Sequence, residues 1–417
     1  MRDIEGVIER IGGQGDGVLN APSGRYYVPF TVPGDRVAAR IGEARGDGFA
    51  ASLHELLAPG ASRVAAPCPL FHDCGGCRLQ HWADPDYLAW KRDMVVQALA
   101  RRGLDTVPVA ETVTVPPGER RRGDLVARRL AKGVALGLHE TGGKRIVDMT
   151  ECAVLAPPLV ALLPKLRRLL LDLLSPAAVA DVIVTLTAGG IDLALGLPAP
   201  PPQADRMRLA AFAEENDLAR IALLPDDVLV VRRAPVLRYG TAAVEQPPGG
   251  FVQASPAAEA AMTALLLRDL KPVKRIIDLF SGAGTFTFPL AHLAPVHAAD
   301  SDAALINALQ VAANRAVLGG RVSSEVRDLF RRPFSAAELK RYDIALFDPP
   351  RAGAREQAAE LAKSAVPVVL AVSCNPSSFS RDARLLADGG YRLAAVTPVD
   401  QFRWSPHVEL VARFERD

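Results

Sequence analysis

The sequence predicts a multidomain α/β protein: a small OB-like β-barrel over residues 1–57, a central α+β domain over 58–245, and a C-terminal Rossmann-like domain over 246–417. Three observations carry this prediction. At 417 residues the chain is longer than one ordinary core organises. Residues 4–41 run as short β-like stretches broken by glycine and proline, the spacing of a small barrel. The last third alternates apolar strand-like runs with helical stretches, which implies a parallel sheet covered by helices on both faces.

The elements follow in order. Ile4–Ile8, Arg25–Phe30 and Arg36–Ile41 are strand candidates separated by Gly12-Gly13-Gln14-Gly15 and Pro33-Gly34-Asp35. An amphipathic helix is expected over Tyr87–Arg102, with Leu88, Met94, Val95, Ala98 and Leu99 on one side. Strands with glycine turns are expected over Asp124–Ile146, a leucine-rich helix over 159–174, and a loop at Pro198–Pro202. Further on, strands are predicted at Ile276–Phe280, Pro295–Asp300, Val322–Val326, Ile344–Phe347 and Val366–Val372, with helices over 285–293, 302–317, 354–363 and 377–387. Tyr391–Val396 and Val408–Phe414 lie too close together for a helical crossover and should form an antiparallel hairpin at the sheet edge.

Composition narrows the function classes. At 49% hydrophobic and 23% charged, the chain is globular rather than disordered. A net charge of +2 excludes a polycation that coats nucleic acid, so any RNA contact must come from a local patch. No apolar stretch of about 18 residues is present, as a spanning helix requires, and no hydrophobic export segment opens the chain. A cytoplasmic location is expected. In that reducing setting, the five cysteines point to metal binding or catalysis rather than disulfides.

Four motifs carry chemistry. Cys68, Cys74 and Cys77 stand as C-x5-C-G-G-C, and Cys152 follows after 74 intervening residues. Gly75 and Gly76 let the backbone fold tightly, so the three thiols can converge and the distant fourth can complete a four-thiolate site. Such a set suits tetrahedral zinc or an iron–sulfur cluster, and the three-plus-one spacing favours the cluster over paired C-x2-C ribbons. Asp278-Leu279-Phe280-Ser281-Gly282-Ala283-Gly284-Thr285-Phe286 is a glycine turn between strand and helix, a nucleotide-type site. Its departure from G-x-G-x-x-G, with Asp300 ending the next strand to accept ribose hydroxyls, favours S-adenosylmethionine over NAD; the competing role for Asp300 is a helix N-cap. Asp348-Pro349-Pro350-Arg351 closes another strand, and its rigid prolines hold the carboxylate at the cofactor cleft.

The fifth cysteine, Cys374 in Ser373-Cys374-Asn375-Pro376, ends the fifth strand beside a helix start, a position expected to lower its pKa and expose a thiolate. Its chemistry fits uracil, whose C5 becomes nucleophilic only after a thiolate adds at C6. A base must then remove the C5 proton. Glu409, a lone acid among apolar residues in His407-Val408-Glu409-Leu410, is the candidate, with a raised pKa expected on burial.

Together these residues resemble the RNA uracil-C5 methyltransferase family, above all its iron–sulfur members acting on 23S ribosomal RNA, along nearly the whole chain. The match includes Cys68-Pro69-Leu70-Phe71-His72-Asp73-Cys74-Gly75-Gly76-Cys77-Arg78-Leu79-Gln80-His81 and Arg145-Ile146-Val147-Asp148-Met149-Thr150-Glu151-Cys152. The resemblance implies a TRAM-like RNA-binding N-terminal barrel, a class I methyltransferase domain, and a [4Fe–4S] cluster on Cys68, Cys74, Cys77 and Cys152. It also implies S-adenosylmethionine contacts at Gln253, Phe280, Asp300 and Asp348, Cys374 as nucleophile and Glu409 as base. Thr285 and Asp300 depart from the family, which often has Asn and Glu there, and the shorter Asp300 must reach further to the ribose. Asp328 is placed near the adenine.

The expected partner is RNA, a loop or bulge with an extruded uridine, met by a monomer through Arg120-Arg121-Arg122, Arg128-Arg129, Lys132 and Lys144-Arg145. The polar mechanism uses no electron, so the cluster is assigned to folding or RNA docking. Transfer RNA as substrate, and a non-catalytic iron–sulfur RNA-binding or assembly protein, are the alternatives. A cytosine-C5 methyltransferase is disfavoured, because no cysteine stands at Asp348-Pro349-Pro350.

Overall fold

The computed structural model describes residues 3–318 and 320–416. The N-terminal unit is a six-stranded sheet in the order Asp3–Val7, Arg36–Arg45, Gly48–Ala58, Gly24–Val28, Gly17–Ala21, Arg10–Ile11. Its two outer positions belong to one continuous segment. Between them the Ile8 amide donates to Asp35 O and the Glu9 amide to Val18 O, both at 2.9 Å, so the sheet curls around Ile8, Leu19, Val28 and Val37. The curl demands glycine at Gly17, where a Cβ would sit 2.0 Å from Thr31 Oγ1.

The central unit is a seven-stranded sheet: Ile146–Asp148, Gly133–His139, Arg122–Leu130, Val179–Thr187, Gly190–Gly196, Arg220–Leu223 and Asp227–Val231 in spatial order. The helix Pro157–Leu173 covers it with Leu159, Leu162, Leu163, Leu166 and Leu170, the one-face spacing of an amphipathic helix.

The C-terminal sheet contains β1 (Ile276–Leu279), β2 (Val296–Asp300), β3 (Val322–Val326), β4 (Ile344–Phe347), β5 (Val368–Ser373), β6 (Arg392–Asp400) and β7 (Glu409–Glu415), numbered within this sheet. Their order is β3-β2-β1-β4-β5-β7-β6, with β1 to β5 parallel and β7 antiparallel to both neighbours. β6 and β7 form the expected antiparallel pair, but β7 lies inside the sheet, and the edge beyond β6 is taken by Val113–Thr114. Glu409–Ala412 are all buried there, with β7 paired to β5 on one side and β6 on the other. The helix expected over 285–293 is only Thr287–Ala291, since the glycine loop occupies the preceding turns.

The C-terminal core also draws on residues before position 246. The helix Asp84–Ala100 packs Val95 and Leu99 into the cluster holding Leu386 and Val396. The hairpin Val236–Tyr239/Ala242–Glu245 adds Leu237 and Val244 to the opposite face. Among the described residues, no helix is long and apolar enough to cross a membrane.

Candidate functional site

The carboxyl ends of β1, β2, β4 and β5 open into one cleft. After β1 the chain turns sharply: Phe280 holds φ 61°, Gly282 φ 53° and Gly284 φ 93°. Only glycine adopts such angles freely, and a Cβ on Gly282 would meet open space, so this turn leaves room for a ligand against the backbone. The Gly282 amide donates to Asp300 Oδ2 at 2.9 Å, and the N-cap of the next helix is Asp302, which accepts from the Ala304 and Leu305 amides. Asp300 is therefore free of that cap role. Phe280 faces Phe330 at 5.4 Å between ring centroids. Asp328, expected near an adenine, caps its own turn by accepting from the Phe330 and Arg331 amides.

Two buried polar atoms in this turn, Ser281 Oγ and Asp278 Oδ1, have no partner among the described residues. Asp278 is pushed up to about 7 by burial, opposed by a Thr287 hydroxyl bond and reinforced by the nearby Asp348 and Asp300. A glycine turn with unpaired polar atoms and carboxylates fits a polar, cationic nucleoside ligand such as S-adenosylmethionine.

Asp348, just past the end of β4, is partly buried, and desolvation, Glu409 and Asp300 drive its carboxyl well above the usual range. Gln253 Nε2 donates to Asp348 Oδ2 at 3.3 Å, and the buried Arg121, ion-paired with Glu259, donates to Gln253 O at 2.9 Å. Glu409 opens β7 and is likewise buried. Burial raises it to about 7, against the opposing Gln401 bond and the positive charges of Lys91 and Arg351.

Cys374 lies just past the last ladder pair of β5 and β7, Ser373 opposite Leu410, so Cys374 and Glu409 are the next residues on the two strands. Asn375 caps the helix Pro376–Asp388 by accepting from the Ser377 amide at 3.0 Å and donates to Arg351 O at 3.0 Å. The thiol is half-buried rather than exposed. Its pKa is not lowered: burial, Glu409 and Asp348 push it up to about 11, outweighing Arg351. The helix start was the legible part of this environment, whereas the two acids arrive from other strands.

The remaining thiols, Cys68, Cys74, Cys77 and Cys152, are free and line one cavity of about 430 Å³. Glycine is required here. A Cβ on Gly75 would lie 2.7 Å from His139 O, and one on Gly76 2.8 Å from Leu138 Cδ1. Cys68 N donates to Gln80 Oε1 at 3.1 Å, and Cys152 Sγ accepts from Leu155 N at 3.3 Å. Burial, with the three neighbouring thiols adding to it, pushes Cys77 up to about 12 despite its bond with Gln80. Among the described residues, no group of three or more His, Cys, Asp or Glu side chains is arranged to hold a metal ion. Four soft sulfurs lining one cavity are a donor set that zinc or an iron–sulfur group would accept.

The arginine triplet does not form a phosphate patch. Arg120 lines the thiol cavity, where burial lowers its pKa; Arg121 is buried against Glu259; and Arg122 is spent on Asp124 and the carbonyls of Gly249 and Gly250. A three-arginine run reads as surface only until alternating strand residues turn inward. Arg145 is exposed but paired with Glu140 and Asp73, which leaves Arg128, Lys132 and Lys144 as exposed cations.

Several site residues went unnoticed in the sequence. Gln401 bonds both Gln253 and Glu409. Arg351 Nη2 donates to His407 Nδ1 at 2.8 Å, and His407 is kept neutral by burial and that cation, its pKa lowered to about 4. The fully buried Lys91 pairs with Asp400 at 2.8 Å. The one available signal was polar residues closing an apolar strand at Asp400-Gln401.

Known proteins place this arrangement. The tRNA (Uracil-5-)-methyltransferase family matches residues 240–416. An "Uncharacterized RNA methyltransferase" of Caulobacter vibrioides is 44% identical, covering 100% of both chains. The 23S rRNA (uracil(1939)-C(5))-methyltransferase RlmD of Shewanella amazonensis is 31% identical over 98% of this chain and 94% of its own. The solved structure of the Pyrococcus abyssi tRNA (uracil-54, C5)-methyltransferase in complex with S-adenosyl-L-homocysteine shares the fold, with a TM-score of 0.79 at 23% identity over 98% of this chain and 99% of that one. The chain belongs to the RNA uracil-C5 methyltransferase family, whose members use S-adenosylmethionine.

Proposed function

We propose that this enzyme forms 5-methyluridine in 23S ribosomal RNA, with Cys374 as the nucleophile and Glu409 as the base. The observation that carries the reading is the meeting of a half-buried thiol and a buried carboxylate of raised pKa on adjacent strand ends, with Asp348 at the tip of the next strand. A protonated thiol needs an acceptor before it can attack. Its proton passes to solvent as sulfur bonds to uracil C6, and the C5–C6 electron pair shifts toward C5 and the O4 carbonyl. S-adenosylmethionine, held by Gln253, Phe280, Asp300 and Asp348, supplies the electrophilic methyl group that C5 accepts. Glu409 then removes the C5 proton, which it can return to the sulfur once the thiol is expelled. The released pair re-forms the C5–C6 double bond and expels Cys374 as thiolate, so each turnover frees one proton overall.

Uracil C5 and C6 are blocked in a stacked helix, so the substrate is a loop or bulge with the base extruded. The curled N-terminal sheet, as a TRAM-like module, and the exposed Arg128, Lys132 and Lys144 are the RNA-facing parts of this reading. Cys68, Cys74, Cys77 and Cys152 would hold a [4Fe–4S] cluster that ties the central unit together. Transfer RNA is the second reading, favoured by the family description; the 31% relative named for 23S rRNA favours the first.

The test is RNA carrying 5-fluorouracil at the target, whose C5 fluorine cannot leave as a proton. Wild type should form an adduct that survives denaturing electrophoresis, and Cys374→Ala should form none. An equal adduct from Cys374→Ala removes this thiol from the mechanism. Mapping 5-methyluridine in total RNA from a deletion strain identifies the substrate.

A further inference from the structure

We infer that Gln401 is a positioning residue that holds the base Glu409 and the cofactor-side pair Gln253–Asp348 in one directed hydrogen-bond chain. The inference rests on the assignment of Glu409 as base made above. Gln401 is buried, and every polar atom of its amide is committed. Oε1 accepts from the Ala254 amide at 3.1 Å, while Nε2 donates to Gln253 Oε1 at 2.8 Å and to Glu409 Oε2 at 3.2 Å.

An amide side chain can usually be turned end for end, but this one cannot. The backbone N–H of Ala254 accepts nothing, so it must face the Gln401 oxygen, and the two N–H bonds of Gln401 must face the other two residues. The direction then propagates. Gln253 offers its oxygen to Gln401 and so aims its own NH2 at Asp348 Oδ2, 3.3 Å away. One backbone amide therefore sets the orientation of two side chains, and both end by donating to a carboxylate. Flipping either amide would turn an oxygen lone pair toward an acid.

The consequence lies in the last chemical step. For Glu409 to take the C5 proton it must be ionised, in a place where burial opposes ionisation. The groups facing it are Gln401, Lys91, Arg351, Asp348 and Cys374. Among these, Gln401 is the neutral group that donates to the carboxylate directly, favouring the charged form without adding a charge to the cleft. It also connects the two halves of the reaction, since the residue that fixes Glu409 touches Gln253 at the cofactor cleft as well.

Gln401→Met keeps the side chain's length and removes its hydrogen bonds; Gln401→Glu keeps its shape and removes the N–H donors. Each is assayed at three points: adduct formation on 5-fluorouracil RNA, the pH dependence of turnover on ordinary RNA, and the fraction of enzyme trapped as covalent complex during that turnover. Expected are a near-normal adduct on 5-fluorouracil RNA, turnover lowered about 10- to 100-fold with its midpoint displaced to higher pH by about one unit, and accumulation of methylated covalent complex, since elimination stalls after methyl transfer. The shift should be larger for Gln401→Glu. A merely structural role would instead reduce adduct formation and turnover together and leave the pH midpoint in place, and that outcome in either variant overturns the inference. A wild-type enzyme that forms no adduct at all overturns the underlying reading of Cys374 and Glu409 as well, and so is told apart from a failure of Gln401 alone.

Discussion

Five cysteines divide between two places about which elementary chemistry makes opposite demands. In the central unit, four thiols line one cavity, and burial together with mutual repulsion raises Cys77 to about 12. In the C-terminal cleft a single thiol is raised to about 11, by burial and by Glu409 and Asp348. The protonation cost is similar, and the companions differ. Thiols surrounded by thiols would be relieved by a shared cation, which suits the proposed metal group. A thiol that faces carboxylates from neighbouring strands has a base beside it, which suits the proposed reversible covalent chemistry. A cysteine's role here follows from what it faces, since burial alone raises Cys77 and Cys374 alike. The two places are also mechanically joined: next to Cys77, the Arg78 and Leu79 amides donate to Trp404 O at 2.8 and 3.1 Å, on the loop that carries Gln401 and His407.

The sharpest way to break this contrast is Cys374→Ala. Turnover should fall by about 10⁴-fold or more, while iron content and melting temperature stay those of wild type. A loss of iron in this variant would merge the two sites and end the distinction.

Next is Glu409→Gln, with turnover reduced about 10³-fold and the adduct on 5-fluorouracil RNA retained. Its stability effect has a definite sign. The folded Glu409 titrates near 7 against an ordinary 4.5, so the native state holds a proton the unfolded chain has lost, and stability falls as pH rises across that interval and levels above it. Glu409→Gln should therefore be more stable than wild type at pH 8 by about 1–3 kcal/mol and closely matched below pH 4.5, read by denaturant melts at the two pH values. In wild type, turnover itself should rise between pH 6 and 8 as the base ionises. A flat profile over that range would remove Glu409 as the base.

A smaller effect on rate is expected from Cys77→Ser. Iron-linked absorbance should disappear and the melting temperature drop by about 5–10 °C, with turnover reduced about 10-fold through the loop joined to Arg78. Retained iron would show that the cavity is not the metal site. Smallest is Lys132→Ala, an exposed cation without an assigned partner. RNA affinity should weaken a few-fold, with the salt dependence of binding reduced by about one ion. An unchanged salt slope would place the RNA elsewhere.

Legibility in the sequence followed periodicity and punctuation. Ile344–Phe347 was readable to the residue, because a short apolar run bounded by Asp343 and Asp348 has one way to be buried. The inserted position of β7 and the edge strand Val113–Thr114 were not, because strand order depends on pairing between distant segments. The site divides the same way. Motif residues such as Asp348 and Cys374 announce themselves through their neighbours in the chain, whereas Gln401, Lys91 and Arg121 also depend on Gln253, the His407 carbonyl and Glu259, partners 148, 316 and 138 positions away. Arg120-Arg121-Arg122 was misjudged for a related reason: charge is written in the sequence, but the direction a strand side chain points is not.

The sequence by itself determined which local structures could form and which atoms were available for chemistry: glycines that admit a sharp turn after β1, four sulfurs with permissive glycines between them, and a fifth sulfur at a strand tip. The tertiary structure decided the protonation states, orientations and companions of those atoms. A pKa and a hydrogen-bond direction depend on the burial, field and donors that other segments bring within a few ångströms, and for Cys374 burial, helped by the acids of β4 and β7, reversed the shift its own helix start implied.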